Sequence, residues 1–362
     1  MQICDANQVS GMNRREAGNV SNRATSLAAS QVARGDRLHR MLLAEVADAG
    51  CFRPATARTA GYGIFVLASY AAAYATLLTG PGPVARVLAI VALAFISVHA
   101  GFIAHEAGHR AITRNRRVAA CVGQLFNTLL TALCYSYFSH IHRRHHPHCN
   151  DRSRDPDMQS AFFSMYRESA GEKTGLGRLI SRHQAVLIWV LVWLQGFTLK
   201  LDSLQHLRRN PRTTRLDQAV LVLHFALWFV PPVLLLGFAD AMLNYALMTL
   251  LIGPYLGAIF LVNHLGSRVI EPGEPISFFM QEISVTRNLG TSRLSDLFFG
   301  GLNNHIEHHL FPSMPTARLR AARRITREFC RRHEIAYREM SWFAAAREVT
   351  RHFRAMSAYV PR

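Results

Sequence analysis

Residues 300–312 read Gly-Gly-Leu-Asn-Asn-His-Ile-Glu-His-His-Leu-Phe-Pro, a stretch with three histidines in the pattern H-x-x-H-H. In a helix, positions i, i+3 and i+4 lie on one face, so His305, His308 and His309 are expected to point in one direction. Three imidazoles form a poor apolar packing surface, but they are good ligands for a transition metal. The stretch is therefore a candidate part of a metal site.

The rest of the chain contains two related clusters. His142, His145 and His146 repeat the H-x-x-H-H pattern, and His105 and His109 are spaced i, i+4. With 18 histidines in 362 residues, an H-x-x-H-H pattern is expected by chance only about 0.04 times in the chain. Two such patterns and a pair indicate one shared site, provided that the chain brings them to the same side.

Composition and apolar runs predict a membrane protein. Half of the residues are hydrophobic, and the net charge is +18. The arginines flank apolar runs, as in the inner loops of membrane proteins, so the basic charge does not indicate a nucleic-acid partner. Four runs have the length of a membrane-spanning helix. They are Gly61–Gly80, Val84–Ala104, Ala219–Gly237 and Ala241–Val262.

These runs predict an all-α integral membrane protein with four transmembrane helices in two hairpins. Pro81-Gly82-Pro83 joins the first two runs, and the turn near residues 238–240 joins the others without an arginine or lysine. By the positive-inside rule, the arginine-rich segments and all three histidine clusters are cytoplasmic. A cytoplasmic helical cap would then carry the histidine-rich metal site. We expect a partly disordered N-terminal tail over residues 1–58, a membrane domain over 59–320 and a basic helical tail over 321–362.

Two further apolar runs do not fit as spans. Residues 118–138 lie between the first two histidine clusters, and a single crossing would put those clusters on opposite sides of the membrane. We expect this run to be re-entrant or interfacial. Residues 185–199 are short, so we expect a helix lying at the interface.

The eight clustered histidines exceed the needs of one tetrahedral zinc ion. They suffice for two metal ions, and two irons beside a membrane suggest oxygen-dependent attack on an unactivated lipid C–H bond. His264, at the end of the fourth run, is either a ninth ligand or a helix-end histidine bonded to backbone or lipid. His99 and His224 lie inside spans, and we interpret them as neutral packing residues. Asp155, Asp157 and Glu307 are candidates for orienting the ligand imidazoles.

The six cysteines show no paired spacing, so we expect neither disulfides nor a thiolate metal site. An alternative interpretation starts from His105-Glu106-Ala107-Gly108-His109, which also fits the H-E-x-x-H pattern of zinc proteases, with Glu106 as general base. An intramembrane protease would, however, leave both H-x-x-H-H clusters without a role.

The chain resembles the membrane fatty acid desaturase family, whose members carry three histidine boxes. Here the boxes begin at His105, His142 and His305. Further matching segments are Asp155-Pro156-Asp157, Thr286-Arg287-Asn288, Gly300-Gly301-Leu302-Asn303 and Leu310-Phe311-Pro312. The resemblance covers about residues 60–320 and is nearest to the front-end or linoleoyl-CoA-like branch, which usually has Gln where this chain has His305.

The resemblance implies a di-iron enzyme that uses O2 as co-substrate and introduces a cis double bond into an acyl-CoA or a membrane-lipid acyl chain. It implies nine iron ligands: His105, His109, His142, His145, His146, His264, His305, His308 and His309. The chain has no His-Pro-Gly-Gly motif of a fused cytochrome b5 domain, so we expect a separate ferredoxin or cytochrome donor. The expected location is a bacterial inner membrane, with the active site on the cytoplasmic face. Related di-iron lipid hydroxylases and carotenoid ketolases share such boxes and remain an alternative.

Overall fold

The computed structural model describes residues 14–361, with side chains described from residue 26 onwards. The described chain is mainly helical, as predicted. The only strands in the described part are β1 (Asn288–Leu289) and β2 (Glu339–Met340). They pair in parallel over two residues each. This short pair and an isolated parallel bridge between Asp151 and Ile270 are the departures from an all-α fold among these residues.

Five helical segments are long and apolar enough to cross a membrane. Four of them contain nearly all of the residues of the four predicted runs and extend beyond most of their ends. These are α2 (Thr56–Thr79), α3 (Pro83–Gly108), α9 (Arg215–Leu236) and α10 (Phe238–His264). The fifth consists of α7 (Gly175–Leu191) and α8 (Gln195–Arg209), joined by a 3₁₀ turn at Val192–Leu194. The short helix expected at 185–199 was therefore wrong in length, because the polar residues on both sides continue the helix.

The remaining helices lie outside these segments. They are α1 (Arg14–Asp48), α4 (Arg116–Gly123), α5 (Tyr135–His145), α6 (Arg167–Gly171), α11 (Phe278–Val285), α12 (Arg293–Phe298), α13 (His305–Leu310), α14 (Thr316–Arg332) and α15 (Trp342–Ser357). Single 3₁₀ turns occupy His146–His148 and Pro156–Met158. The predicted boundary between the membrane domain (59–320) and the C-terminal tail (321–362) falls inside α14.

The two helical pairs turn at the same end of the molecule. Pro83 occupies the first turn of α3, where its missing N–H is not needed. Gly237, with φ of 91°, separates α9 from α10. Arg86 near the start of α3 lies 3.4 Å from the Asp240 carboxylate near the start of α10. Helices α3 and α10 therefore run in the same direction, and their other ends carry His105 and His264.

Small residues let α7–α8 approach α10 closely. A Cβ atom on Gly253 would lie 2.3 Å from the carbonyl oxygen of Val192, and one on Gly257 would lie 2.0 Å from the Val192 side chain. Gly196 approaches the Thr249 carbonyl in the same way. Side chains larger than hydrogen at these positions would force the two backbones apart.

The run at 118–138 is a broken helix and not a continuous one. Helix α4 passes into a π-helical turn at Gln124–Leu129, and Ala132 then takes a positive φ of 59°. The free carbonyl groups at this break accept hydrogen bonds from membrane-helix side chains. Nδ1 of His224 donates to the Leu129 carbonyl at 2.6 Å, and the Tyr70 hydroxyl donates to the Leu130 carbonyl at 2.8 Å. Such partners allow a helix to end in apolar surroundings.

The described part of the N-terminal segment contains one long helix. Helix α1 covers Arg14–Asp48, within the segment 1–58 for which a partly disordered tail is predicted, and the residues before 14 lie outside the described part of the chain. Leu38, Leu42 and Val46 are buried in a second core formed with α11, α13 and α14. This core supports α13, the helix that carries the third histidine cluster.

Candidate metal centre

Nine histidines converge where the membrane helices meet the small helices beyond them. His105 lies in the last turn of α3, His109 directly follows that helix, and His264 ends α10. Helix α5 contributes His142 and His145, His146 follows it, and α13 contributes His305, His308 and His309. All nine sequence-predicted residues are thus brought together, including His264.

Five of the histidines form a first group. His105, His109, His142, His146 and His308 each place a ring nitrogen within 4.8 Å of those of the others. Nε2 of His142 lies 2.8 Å from Nε2 of His109 and 3.0 Å from Nε2 of His146. Nε2 of His308 is buried and has no hydrogen-bond partner. The nitrogens of this group therefore face one another.

The other four histidines form a second group. His145, His264 and His309 place donor atoms within 4.8 Å of one another. His305 joins them, because its Nε2 lies 2.6 Å from Nε2 of His264. The two groups adjoin: the rings of His146 and His309 are stacked with their centroids 4.2 Å apart.

The Nδ1 atoms of the second group are held from outside. His145 donates to the Asp155 carboxylate at 3.0 Å, and His309 donates to the Glu282 carboxylate at 2.8 Å. His305 donates to the Leu302 carbonyl at 3.2 Å, and Nδ1 of His264 contacts the Cys149 sulfur at 3.1 Å. The three oxygen acceptors fix the tautomers of His145, His309 and His305, so that their Nε2 lone pairs point inward, as metal-binding imidazoles require.

Burial keeps most of these imidazoles uncharged. Desolvation, and after it the neighbouring imidazoles, lowers the pKa of His142, His146, His308 and His309 well below the usual value. His145 differs: desolvation lowers its pKa, but Asp157 and Asp155 together outweigh that effect and raise the pKa to about 9. The largely neutral set matches the protonation state in which imidazole binds a metal.

The donor set fits transition-metal ions. Nε2 of His142 carries at most one hydrogen, yet it lies within 3.0 Å of Nε2 of both His109 and His146. A cation between these nitrogens would satisfy all of their lone pairs at once. Two imidazoles at a right angle on a cation, with bonds of about 2.1 Å, would hold their nitrogens about 3.0 Å apart. Burial also raises the pKa of Glu282 well above the usual range, so its ionised form needs positive charge nearby. A cation bound to His309 would supply that charge.

Two residues at the centre were missed from the sequence. Glu282 lies on α11, four residues before the Thr286-Arg287-Asn288 segment, and it is the only carboxylate in that apolar helix. No role was predicted for Cys149, yet its sulfur lies among the donor atoms of the second group. Burial raises the pKa of its thiol well above the usual value, which favours a neutral partner of His264 over a thiolate ligand. The five cysteines in the described part are all free thiols.

The three carboxylates that were predicted to orient imidazole rings differ in what they contact. Asp155 bonds His145 directly, and Asp157 lies 3.3 Å from the same ring. Glu307 instead accepts hydrogen bonds from Asn288 at 2.8 Å and from the Tyr337 hydroxyl at 2.6 Å. Glu307 therefore anchors helix α13 to the strand pair and does not contact an imidazole through these bonds.

Neither intramembrane histidine joins the centre. His99 is hydrogen-bonded to the hydroxyls of Tyr62 and Tyr255, and His224 bonds the Leu129 carbonyl and the Tyr245 hydroxyl. Both histidines are thus satisfied packing residues, as predicted.

A cavity of about 640 Å³ lies next to the centre. Glu106 and Asn304, the neighbours of His105 and His305 in the chain, are among the residues that line it, and Phe102 and Leu297 supply apolar walls. The Glu106 carboxylate accepts a hydrogen bond from the Thr316 amide at 2.9 Å, which ties the first box to the segment after the third. Gly300 and Gly301, which also line the cavity, have positive φ values of 55° and 81°.

Comparison with known proteins now identifies the family. A sequence profile described as "Fatty acid desaturase" matches residues 81–341. The chain is 25% identical to Delta(8)-fatty-acid desaturase 2 of Arabidopsis thaliana, over 72% of this chain and 61% of that protein. It is 27% identical to Acyl-lipid (9-3)-desaturase of Borago officinalis, over 71% of this chain and 60% of that protein.

A relative from an animal has a similar identity and coverage. The chain is 25% identical to Delta(6)-fatty-acid desaturase fat-3 of Caenorhabditis elegans, over 66% of this chain and 57% of that protein. The chain thus spans about three fifths of the length of these curated relatives. Because the family profile covers well over half of the chain, the protein belongs to the fatty acid desaturase family.

Proposed function

We propose that the protein is an O2-dependent fatty acyl desaturase that introduces a cis double bond with a di-iron centre. The observation that carries this proposal is the convergence of nine buried or partly buried imidazoles into two adjoining groups with inward-facing nitrogens. Desaturases from plants and an animal among its relatives support the same activity.

Each histidine group would hold one iron. The first iron would be bound by the five-histidine group, and the second by the four-histidine group. Imidazole is a good ligand for iron, and nine nitrogens exceed what a single tetrahedral zinc ion takes. With two redox-active irons bound, such a centre can use O2 to oxidise an unactivated C–H bond.

The protein residues would position and protect the reaction. Asp155 and Glu282 hold imidazole rings in place through Nδ1, and the burial of the histidine groups limits access of water to them. The cavity beside His105 and His305 would admit the acyl chain, since Phe102 and Leu297 give it apolar walls. Removing two hydrogens while O2 is reduced to two waters requires two more electrons and two protons. A separate ferredoxin or cytochrome type of donor would supply these electrons.

The convergence of the histidines also supports a four-span topology. Residues close to one metal must lie on one side of the membrane, so an even number of crossings must separate any two of them. Helices α9 and α10 already give two crossings between His146 and His264. Helix α7–α8 would therefore not be a full span, although it is long enough, and the broken helix at 116–132 would be re-entrant.

We place the centre on the cytoplasmic face of the membrane, at the cap end of a membrane domain over residues 59–320. The exposed arginines at the start of α4 and around residues 208–215 lie at the histidine end, whereas Arg86 at the opposite turns is paired with Asp240. This distribution follows the positive-inside rule. The relatives compared above are eukaryotic, and they do not support the bacterial inner membrane that we expected.

Expression in a host of known lipid composition would test the function. We expect new unsaturated acyl chains by mass spectrometry and about two irons per purified chain. His308→Ala should abolish the product and lower the iron content, whereas His183→Ala, at an exposed histidine, should change neither. A hydroxylated or ketone product would favour the hydroxylase or ketolase alternative. A single zinc with peptidase activity would contradict the proposal and favour the protease.

A further inference from the structure

Arg287 is the largest fully buried side chain in the described part of the chain. One terminal guanidinium nitrogen donates to the Leu265 carbonyl at 2.6 Å and to the Ser267 hydroxyl at 2.7 Å. The other donates to the Glu348 carboxylate at 2.9 Å, which is the only ion-pair partner of Arg287 among these residues. A buried guanidinium is stable only when such partners offset its loss of water.

These bonds place a positive charge at the end of α10. Leu265 directly follows His264, the last residue of this 27-residue helix. The last carbonyl groups of a helix have no partner within it and form the negative end of its dipole, so a cation is favourable there. The His264 carbonyl is held as well, because it accepts a hydrogen bond from the Ser267 amide at 3.0 Å. Arg287 therefore caps the helix that ends with His264.

The carboxylate that holds Arg287 comes from the C-terminal helix α15. The Oε2 atom of Glu348 also accepts a hydrogen bond from Arg338 at 2.6 Å, so two guanidinium groups share one carboxylate oxygen. Removing this charge would leave Arg287 buried without compensation. Helix α15 also packs directly against the turn after α10, since a Cβ atom on Gly266 would lie 3.1 Å from the Glu348 carbonyl oxygen.

We infer that Glu348 is a positioning residue for the metal of the four-histidine group, acting through Arg287 on His264. The inference rests on the proposed di-iron centre and adds a residue that controls one of its two metals. His264 has no helical turn after it, so the path of its backbone depends on the groups that cap α10. Glu348 lies on α15, outside residues 81–341 that match the family profile, so the profile does not contain this support.

Binding of Co²⁺ to the iron-free protein tests this inference without catalysis. Full-length protein in detergent is freed of iron with a chelator and titrated with Co²⁺, which binds nitrogen sites somewhat more tightly than Fe²⁺ and is followed by its visible absorption. We expect two binding steps. His264→Ala should weaken one step and His308→Ala, in the five-histidine group, the other, so that each step is assigned to one group.

Glu348→Leu should weaken only the step that His264→Ala weakens. We expect a loss of roughly tenfold, at the lower end of the range for groups that orient ligand histidines, because Glu348 acts through Arg287. Glu348→Gln keeps an oxygen acceptor but not the charge, so it should lose less affinity than Glu348→Leu. The double variant Glu348→Leu/His264→Ala should bind no more weakly than His264→Ala, because a positioning residue has no effect once its ligand is removed.

Thr350→Val is the control on the same helix. The Thr350 hydroxyl accepts a hydrogen bond from the Trp189 indole at 2.9 Å, so this variant weakens the contact of α15 with α7 and leaves the bonds of Arg287 intact. It should bind Co²⁺ like the wild type in both steps. Thermal unfolding of each variant shows whether a loss of affinity merely follows a loss of stability.

Equal weakening of both steps by Glu348→Leu would overturn the inference, as would additive effects of Glu348→Leu and His264→Ala or wild-type binding by Glu348→Leu. If Glu348→Leu does not fold, Glu348→Gln, which has the same size as the native residue, takes its place, and unchanged binding by that variant would overturn the inference.

The proposed reaction is measured separately, from products. Coupled effects of Glu348 and His264 without any desaturated product in expressing cells would support the positioning role and contradict the proposed function. Desaturated product together with uncoupled effects would support the function and contradict the positioning role.

Discussion

Nδ1 of His309 lies 2.8 Å from the Glu282 carboxylate, and both side chains are almost completely buried. Glu282 comes from α11 and His309 from α13, so this bond joins two elements that the sequence separates by strand β1 and helix α12. The carboxylate fixes the imidazole orientation and, when ionised, compensates positive charge on the metal side of the ring. Glu282 is therefore expected to affect metal binding without contacting the metal.

Replacing Glu282 should weaken metal retention. Glu282→Leu removes the acceptor and should reduce metal affinity by about 10–100-fold, the usual range for partners of ligand histidines. Glu282→Gln keeps an acceptor oxygen and should retain more metal than Glu282→Leu. Iron per purified chain, measured by elemental analysis after dialysis against a chelator, distinguishes these outcomes. Glu328→Leu, at an exposed glutamate paired with Arg331, is the control. Equal iron in Glu282→Leu and the wild type would show that the bond has no such role.

Cys149 should support His264 in a similar way. Cys149→Ser keeps a hydrogen-bonding group near Nδ1 of His264, whereas Cys149→Ala leaves that nitrogen without this contact. We expect the alanine variant to lose iron from the four-histidine group more readily than the serine variant during chelator dialysis. Cys330→Ala is a matched control, because Cys330 is equally buried but lies in the second core. If Cys149→Ala and Cys330→Ala lose iron at the same rate, the contact with His264 does not matter.

Gly300 and Gly301 should tolerate no side chain. A Cβ on Gly300 would lie 2.3 Å from the Phe102 ring, and one on Gly301 would lie 2.2 Å from the Thr316 methyl group. Both glycines also have positive φ, which costs other residues about 1–2 kcal/mol. With the added overpacking, Gly300→Ala should lower the free energy of unfolding by about 2–4 kcal/mol. Thermal unfolding measures this change.

Gly290→Ala is the matched control, since a Cβ there meets nothing within 4 Å and this glycine has no positive φ. Similar melting temperatures for Gly300→Ala and Gly290→Ala would mean that Phe102 moves aside without cost.

The sequence predicted the histidines of the metal centre better than the residues that hold those histidines in place. Histidine spacing is a local signal, so it predicted the eight clustered histidines. His264 has no such spacing, and only the family resemblance implied it as a ligand. Glu282 and Cys149 have no such signal, because their relation to His309 and His264 arises only from the packing of α11 and of the loop after α5.

The predicted helix length was wrong where polar residues continue an apolar helix. The run at 185–199 was expected to end near Lys200, but the helix continues to Arg209. Lys200 is accommodated because its ammonium group donates to Tyr245 at 3.0 Å and to Thr249 at 2.8 Å on α10. A hydropathy pattern shows the cost of burying a lysine but not the partners that offset it.

The proposed four-span topology predicts on which side of the membrane each loop lies. Arg212, between α8 and α9, and Gly82, between α2 and α3, should lie on opposite sides of the membrane, since an odd number of crossings separates them when α7–α8 does not span. In a variant without native cysteines, Arg212→Cys should react with a membrane-impermeant maleimide only after the cells are permeabilised, whereas Gly82→Cys should react in intact cells. Asn115→Cys, between the first two histidine clusters, should behave like Arg212→Cys. Labelling of Arg212→Cys in intact cells would make α7–α8 a full span and would contradict the shared metal centre.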